Sequence, residues 1–320
     1  MIAVEGFRNA RVAVLGLARS GLVAAQALAR GGARVMAWDD AAHRRATAAA
    51  AGLPLVDLAT SDLDGVTALV LSPGIPHTFP VPHRVAARAR ARGIPIIGDI
   101  ELLVRSRGAA RIVGVTGTNG KSTTTALIAQ ILAAAGRRVA LGGNIGVPAL
   151  GLDTLGADGL YVLELSSYQL ELTPSLDCAV AVLLNITPDH LDRHGSMDGY
   201  VAAKERIFAQ PADQAAVIGI DDEICRAIAR RLTDAGRRVA TISARTAAAK
   251  VAVADGILID ALDGPARVAD LAPIPTLPGA HNWQNAAAAY AACRAVGLAA
   301  PVIAEASARC PAKMRFLAAT

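Results

Sequence analysis

The stretch "GVTGTNGKSTT", residues 114–124, sets Gly117, Gly120, Lys121 and Ser122 between an apolar run and a helical pattern. Backbone N–H groups in such a loop can surround a polyphosphate, with Lys121 reaching its terminal phosphates and the Ser122 hydroxyl holding Mg²⁺. The first glycine stands one place early for the usual G-x-x-x-x-G-K-[ST] spacing. The residue types therefore indicate nucleotide binding and leave the reaction open.

Further chemistry follows the next apolar runs. "GGNIG" comes after 138–141, "ELSSYQ" closes 160–164, and "NITPDH" follows 179–184. In a parallel sheet the carboxyl ends of all strands lie on one edge, so these clusters and "TGTNGKS" converge on one crevice. Glu164 and His190 are oxygen and nitrogen donors suited to Mg²⁺ held against phosphate oxygens. "TPDH" also reads as a helix start, with Thr187 as N-cap and Pro188 at the first helical position. Lys204, in "YVAAKERIF", reads on pattern alone as a solvated helical lysine.

A second glycine pair lies nearer the N-terminus. Gly16 and Gly21 bracket the turn after the strand "RVAVL", and Asp39 ends the next strand about where a dinucleotide fold places its ribose-binding acid. Ala18 replaces the middle glycine of G-x-G-x-x-G, so a nicotinamide dehydrogenase, a nucleotide diphosphate site and a purely structural turn all stay open here. "SPG", Ser72 to Gly74, follows the third apolar strand and belongs at the same edge.

These residues need a frame. Short apolar strands alternate with alanine-rich helical stretches along the chain, which predicts α/β architecture with parallel sheets covered by helices. The polar segment "RSRGAAR", 105–111, is the expected boundary between two units. The size, 320 residues, agrees with about two domains. Hydrophobic residues make up 53% and charged residues 18%, a balance that excludes disorder. No apolar stretch approaches the roughly 20 residues of a membrane span, and "MIAVEGFRNA" lacks signal-peptide character. Cys178, Cys225, Cys293 and Cys310 are widely spaced, as expected of free thiols in a reducing cytoplasm. The net charge of +5 admits an anionic partner. Arg84, Arg88 and Arg92 fall at helical spacing, but with aromatic residues at 3% they are expected to form a solvated face, not a nucleic-acid stripe.

"GTNGKSTT", "GGNIG", "LELSSYQLE", "NITPDHLDRHGSMDGY", "AAKERIF" and "PGAHNWQNAAAA" occur in the order and spacing of the Mur ligases, and the chain resembles that family over about residues 8–300. The early glycine is the family's ordinary loop. "SPGIP", "GDIEL" and "ELSSYQLE" resemble the branch that adds D-glutamate. The resemblance implies an N-terminal Rossmann-like UDP-sugar-binding domain, 1–107, and a P-loop central Mur ligase domain, 108–309. It implies ATP and Mg²⁺ as cofactors, UDP-N-acetylmuramoyl-L-alanine and D-glutamate as substrates, an acyl phosphate intermediate, a cytoplasmic setting, and neither nucleic acid nor membrane as partner.

By the same resemblance Gly117, Thr118, Asn119, Gly120, Lys121, Ser122 and Thr123 cradle ATP, with Asn282 and Asn285 near its nucleoside. Lys121, Glu164, His190 and Lys204 are the implied catalytic set. Ser122 and Glu164 would serve a first Mg²⁺, and His190 and Lys204 a second, with Lys204 as a carbamate. Ser20, Asp39, Ser72, Gly74 and Asn144 would face the UDP-sugar, while Ser166 and Gln169 would lie toward the muramoyl-alanine end. Asp39 also reads as a strand-end cap, and the asparagines as loop braces. Residues 310–320, "CPAKMRFLAAT", match nothing in the family, whose members continue into a third α/β domain. The expectation is a ligase lacking that domain and inactive alone, the alternative a non-catalytic nucleotide-binding remnant. Folylpolyglutamate synthase begins with the P-loop unit, so the "GLARSG" unit counts against it.

Overall fold

The computed structural model of the chain describes residues 1–209, 213–274, 279–309 and 317–318. The first sheet is built from β1 (Arg11–Leu15), α1 (Arg19–Arg30), β2 (Arg34–Trp38), α2 (Ala42–Ala50), β3 (Val66–Leu71), α3 (Arg84–Ala91), β4 (Ile96–Ile97) and α4 (Asp99–Ser106). Its strands run parallel in the order β2-β1-β3-β4. The strands are rich in Val, Leu and Ile, which suit a pleated surface covered on both faces.

The second sheet opens with β5 (Arg111–Thr116), α5 (Lys121–Ala134), β6 (Val139–Gly143), β7 (Leu160–Glu164), α6 (Ser167–Glu171) and β8 (Val180–Leu183). It continues through α7 (Leu191–His194), α8 (Met197–Glu205), β9 (Ala215–Gly219), α9 (Glu223–Asp234), β10 (Arg238–Ser243), β11 (Val251–Ala254), β12 (Ile257–Asp260) and β13 (Ala266–Asp270). Helices α10 (Gly279–Val296) and α11 (Ala300–Arg309) and strand β14 (Leu317–Ala318) complete it. The order is β14-β13-β12-β11-β10-β9-β8-β5-β7-β6. From β6 to β11 the pairing is parallel, as the alternation predicts. The remaining strands form an antiparallel edge. The sheet changes between Ile97 and Arg111, and Cys310 lies outside the described residues.

Both glycine loops sit where strand order reverses. β1 lies between β2 and β3, and β5 lies between β7 and β8. In open parallel sheets a crevice forms beyond the carboxyl ends of the strands at such points. Alanine lets helices approach the sheets closely there. In α10 the run Ala286–Ala292 is buried, and in α1 Ala24, Ala25 and Ala27 are buried beside Gly21, where a Cβ would stand 1.8 Å from the Gly16 carbonyl oxygen.

The two sheets share an apolar core in which Leu102 and Leu103 of α4 meet Leu150, Leu152 and Tyr161. Each fully buried leucine there contributes about 1.5–3 kcal/mol relative to exposure. Glu101 reinforces this seam by accepting hydrogen bonds from Ser175 N and Oγ at 3.0 and 2.7 Å.

One expectation changes. Arg84 and Arg92 are exposed, but Arg88 is half-buried and donates to the carbonyl oxygens of Leu58, Ala59 and Ser61. It clamps that loop through its carbonyl oxygens, so the arginine spacing is not a uniformly solvated face.

Candidate active site

The crevice is built around the turn from β5 into α5. Gly117 has φ 157° and Gly120 φ 83°, and α5 begins at Lys121, directly after the second of them. A Cβ on Gly120 would lie 2.2 Å from Asn285 Oδ1. Asn285, on α10, therefore rests directly on the loop, and its Oδ1 also accepts from Thr124 Oγ1 at 3.3 Å. Its Nδ2 donates to Asn282 Oδ1 at 3.4 Å, so the two expected asparagines are adjacent.

The loop is shaped by a residue whose role the sequence did not disclose. Asn185, just past β8, accepts Asn119 N at 2.8 Å on Oδ1 and donates from Nδ2 to Asn119 O at 3.2 Å. Thr118 N donates to Asn185 O at 2.9 Å. A cleft of ≈ 340 Å³ between Asn119, Gly120, Asn185, His281, Gln284 and Asn285 opens beside it.

Glu164, at the end of β7, is 2% exposed and holds two of the expected residues at once. Its Oε2 accepts from Ser122 Oγ at 2.7 Å and its Oε1 from Asn144 Nδ2 at 2.8 Å. Asn144 O in turn accepts from Arg19 at 3.2 Å, which carries the chain of contacts to the start of α1. Lys121 curls back over the loop, donating to Gly117 O at 3.1 Å and Thr118 O at 2.8 Å, and burial lowers its pKa.

Lys204 overturns its solvated reading. It is 1% exposed, and its Nζ donates to Gly117 O at 2.8 Å and lies 4.6 Å from the centre of the Tyr200 ring. Helix α8 turns it inward because Tyr200 and Ala203 bury the same side of the helix. Burial first, and the charge of Lys121 second, bring its pKa down to about 7. Tyr200 was also missed. Its hydroxyl lies 3.1 Å from Thr118 Oγ1.

"TPDH" is not a helix start at Thr187. Thr187 N instead donates to Thr118 Oγ1 at 3.0 Å, tying this segment to the loop, and α7 begins only after His190. His190 adopts φ 51° at the N-cap position. Its side chain is 47% exposed and lies near Asp189 and the Tyr168 ring. The bend sets His190 against the Tyr168 and Tyr200 rings, with centroids 5.1 and 6.4 Å away.

Around the first glycine turn, Asp39 is 5% exposed and both its oxygens are engaged. Oδ2 accepts from Leu17 N at 2.7 Å and Oδ1 from Ala41 N at 2.8 Å. It acts at least as the strand-end cap. Ser72 Oγ donates to Gly16 O at 3.1 Å, Ser20 lies in the first turn of α1, and Gly74 is exposed on the following loop. Ser166 and Gln169 pair with each other as a capping box, Gln169 N donating to Ser166 Oγ at 3.2 Å and Ser166 N to Gln169 Oε1 at 3.1 Å.

The donor set fits Mg²⁺ bound with a nucleotide. Magnesium takes one or two protein oxygens and completes its shell with phosphates and water, and Ser122 Oγ and Glu164 Oε2 are such a pair. Among the described residues no three His, Cys, Asp or Glu side chains group as a metal site. No described helix is long and apolar enough to cross a membrane. Cys178, Cys225 and Cys293 are buried.

Residues 115–293 match the Mur ligase middle domain. The chain is 53% identical to the UDP-N-acetylmuramoylalanine–D-glutamate ligase of Rhodospirillum rubrum, over 97% of this chain and 67% of that protein. It is 50% identical to the ligase of the same name from Rhizobium meliloti, over 93% and 65%. A solved structure of UDP-N-acetylmuramate:L-alanyl-gamma-D-glutamyl-meso-diaminopimelate ligase from Neisseria meningitides shares the fold. It has a TM-score of 0.61 at 21% identity and covers 98% of this chain and 99% of that one. The chain belongs to the Mur ligase family. It spans about two thirds of the length of these curated relatives.

Proposed function

We propose that the chain holds the sugar-nucleotide and ATP sites of an ATP-dependent ligase that joins D-glutamate to UDP-N-acetylmuramoyl-L-alanine. The observation that carries this reading is the convergence of Ser122, Glu164 and Asn144 with Lys121 and Lys204 at the strand-order reversal of the second sheet. The relatives' names supply the substrates. Residues 1–107 are proposed as the UDP-sugar domain and 108–309 as the ATP domain.

In this reading the substrate carboxylate is activated as an acyl phosphate and the amine of D-glutamate displaces phosphate. Such chemistry needs positioning and charge neutralisation, not a covalent nucleophile. The N–H groups of residues 117–123 and Lys121 would bind the phosphates of ATP. Ser122 and Glu164 would hold Mg²⁺, which neutralises charge on the transferring phosphoryl group. Lys204 as it stands is a hydrogen-bond donor. As a carbamate it would become an anionic oxygen donor that, with His190, would serve a second Mg²⁺, and its low pKa favours the neutral amine that carbamate formation requires. Asp39, Ser72, Gly74, Ser20 and Asn144 would face the sugar nucleotide, with Ser166 and Gln169 toward its muramoyl-alanine end. The buried thiols suit a cytoplasmic setting.

The test is thermal denaturation with single ligands, because a ligand that binds only the folded state raises its stability. UDP-N-acetylmuramoyl-L-alanine and Mg-ATP should each raise Tm, and NAD should not. Stabilisation by NAD with none by the UDP-sugar would return the first unit to the dehydrogenase reading.

A further inference from the structure

Helix α7 has four residues, too few to hold its own shape, so its orientation is set by what its side chains grip. Arg193, 7% exposed, reaches out of the second unit to the loop after β3. Its Nη1 donates to Phe79 O at 3.1 Å, and its Nη2 donates to Ile75 O at 3.1 Å and Pro73 O at 3.4 Å. The guanidinium also lies 4.9 Å from the centre of the Tyr168 ring. The neighbouring His194, whose side chain is fully buried, contacts Glu171 Oε1 through Nδ1 at 3.1 Å and Ser167 Oγ through Nε2 at 2.9 Å. Glu171 Oε2 meets His77, on that same loop, at 3.4 Å. A charged donor seated on several carbonyls is stronger and more directional than a neutral bond.

The gripped loop begins at Ser72 and Gly74, and the gripping helix has His190 as its N-cap. We propose that Arg193 is a positioning residue that makes the two substrate sites interdependent. With Arg193 seated, the sugar-nucleotide loop and His190 form one body, so a UDP-sugar that orders the loop leaves less to be ordered when Mg-nucleotide triphosphate binds on the other side. The left-handed conformation of His190 fits this role, since such geometry persists where the surroundings over-determine it. The inference rests on the two sites assigned under the proposed function. Coupling is reciprocal by thermodynamic necessity, typically about 5–150-fold.

Isothermal titration of the chain tests it. The UDP-N-acetylmuramoyl-L-alanine and Mg-bound non-hydrolysable ATP affinities are measured alone and with the other ligand saturating. The wild type should show coupling of at least about fivefold. Arg193→Ala should bring the factor close to one while each separate affinity changes less, and Arg193→Lys, which cannot span several carbonyls, should recover part of it. His77→Ala, a milder cut in the same tie, should reduce the factor and serves if Arg193→Ala fails to fold. Arg88→Ala is the structural control, because it removes comparable arginine–carbonyl bonds within the first unit alone. It should lower Tm and leave the coupling intact. Full coupling in the folded Arg193 and His77 variants, or equal loss in Arg88→Ala, overturns the proposal. A wild type that binds both ligands independently overturns it as well, whereas failure to bind the UDP-sugar at all ends the functional reading beneath it.

Discussion

Lys204 Nζ and Lys121 Nζ share one acceptor, the carbonyl oxygen of Gly117, at 2.8 and 3.1 Å. Two ammonium groups on one oxygen in a buried site repel each other, and the more buried of them yields its proton more readily. Burial is the larger cause and Lys121 the second, and together they bring Lys204 from 10.5 to about 7. The neutral amine is the form that attacks carbon dioxide, so carbamate should accumulate as pH rises through 7. With ¹³C-bicarbonate, a carbamate carbon signal should grow from about pH 6 to 8 in the wild type. It should be missing in Lys204→Ala. A signal of equal size in the alanine variant would place the carbamate elsewhere.

The same depression has a stability consequence of fixed sign. Between about 7 and 10.5 the unfolded chain binds a proton at this lysine that the folded chain does not. Folding stability should therefore rise with pH across that window. Below it the full penalty of burying the cation applies. Lys204→Met should flatten the rise and give its largest gain at or below pH 7, read from urea denaturation in carbon dioxide-free buffer. A slope unchanged by the substitution would mean that another group produces it.

Glu164 bridges Ser122 and Asn144, so one carboxylate serves both sides of the crevice. Glu164→Gln keeps the size and removes the charge. Mg²⁺ affinity in the presence of nucleotide should fall at least roughly tenfold, since carboxylate is the donor magnesium prefers. Excess EDTA should abolish the ATP-induced Tm increase in the wild type. Titration of Mg²⁺ into the variant measures the loss, and undiminished affinity would remove Glu164 from the metal site.

Gly120 and Asn285 offer a sharper test of the loop. Alanine at 120 meets both a left-handed φ of 83° and an oxygen 2.2 Å from its Cβ. The backbone part alone costs about 1–2 kcal/mol. Asn285→Ala removes the oxygen and leaves the backbone cost. In a double-mutant cycle, the penalty of Gly120→Ala should therefore shrink, without vanishing, when Asn285 is already alanine. Strict additivity would separate the two residues.

What the sequence made legible follows from where the constraint is local. The loop from Gly117 to Ser122 and the strand-end clusters were readable because a parallel sheet puts strand carboxyl ends on one edge whatever the details. Lys204 was not readable. Its helix has no strong apolar face, so nothing in "YVAAKERIF" says that the lysine points inward until β5 and its glycine loop are in place. Arg88 and Arg193 fail for the same reason, since their carbonyl partners lie far away in sequence. Asn185 stood inside a quoted motif, but its reciprocal bonds to Asn119 depend on β8 lying beside β5. The antiparallel edge rests on a local signal. "VAVADGILID" carries Asp255-Gly256 between apolar runs, and both residues have positive φ, at 49° and 81°, as a tight hairpin requires.

The last prediction concerns Glu171, which holds His194 and His77 across the two units. Burial by itself would raise its pKa, but hydrogen bonds from His194 and His77, together with their charges, outweigh burial and hold it at about 2 instead of 4.5. A carboxylate with a depressed folded pKa binds fewer protons folded than unfolded over that interval. Its contribution to stability is therefore complete above about 4.5 and disappears as pH falls toward 2. Glu171→Gln should destabilise the chain at neutral pH, and the difference from wild type should close as the pH is lowered through that window. Denaturant midpoints at intervals from pH 6 to 2 would measure the closure. A difference that stays constant down to pH 2 would mean that Glu171 contributes by shape and neutral hydrogen bonding, not by charge.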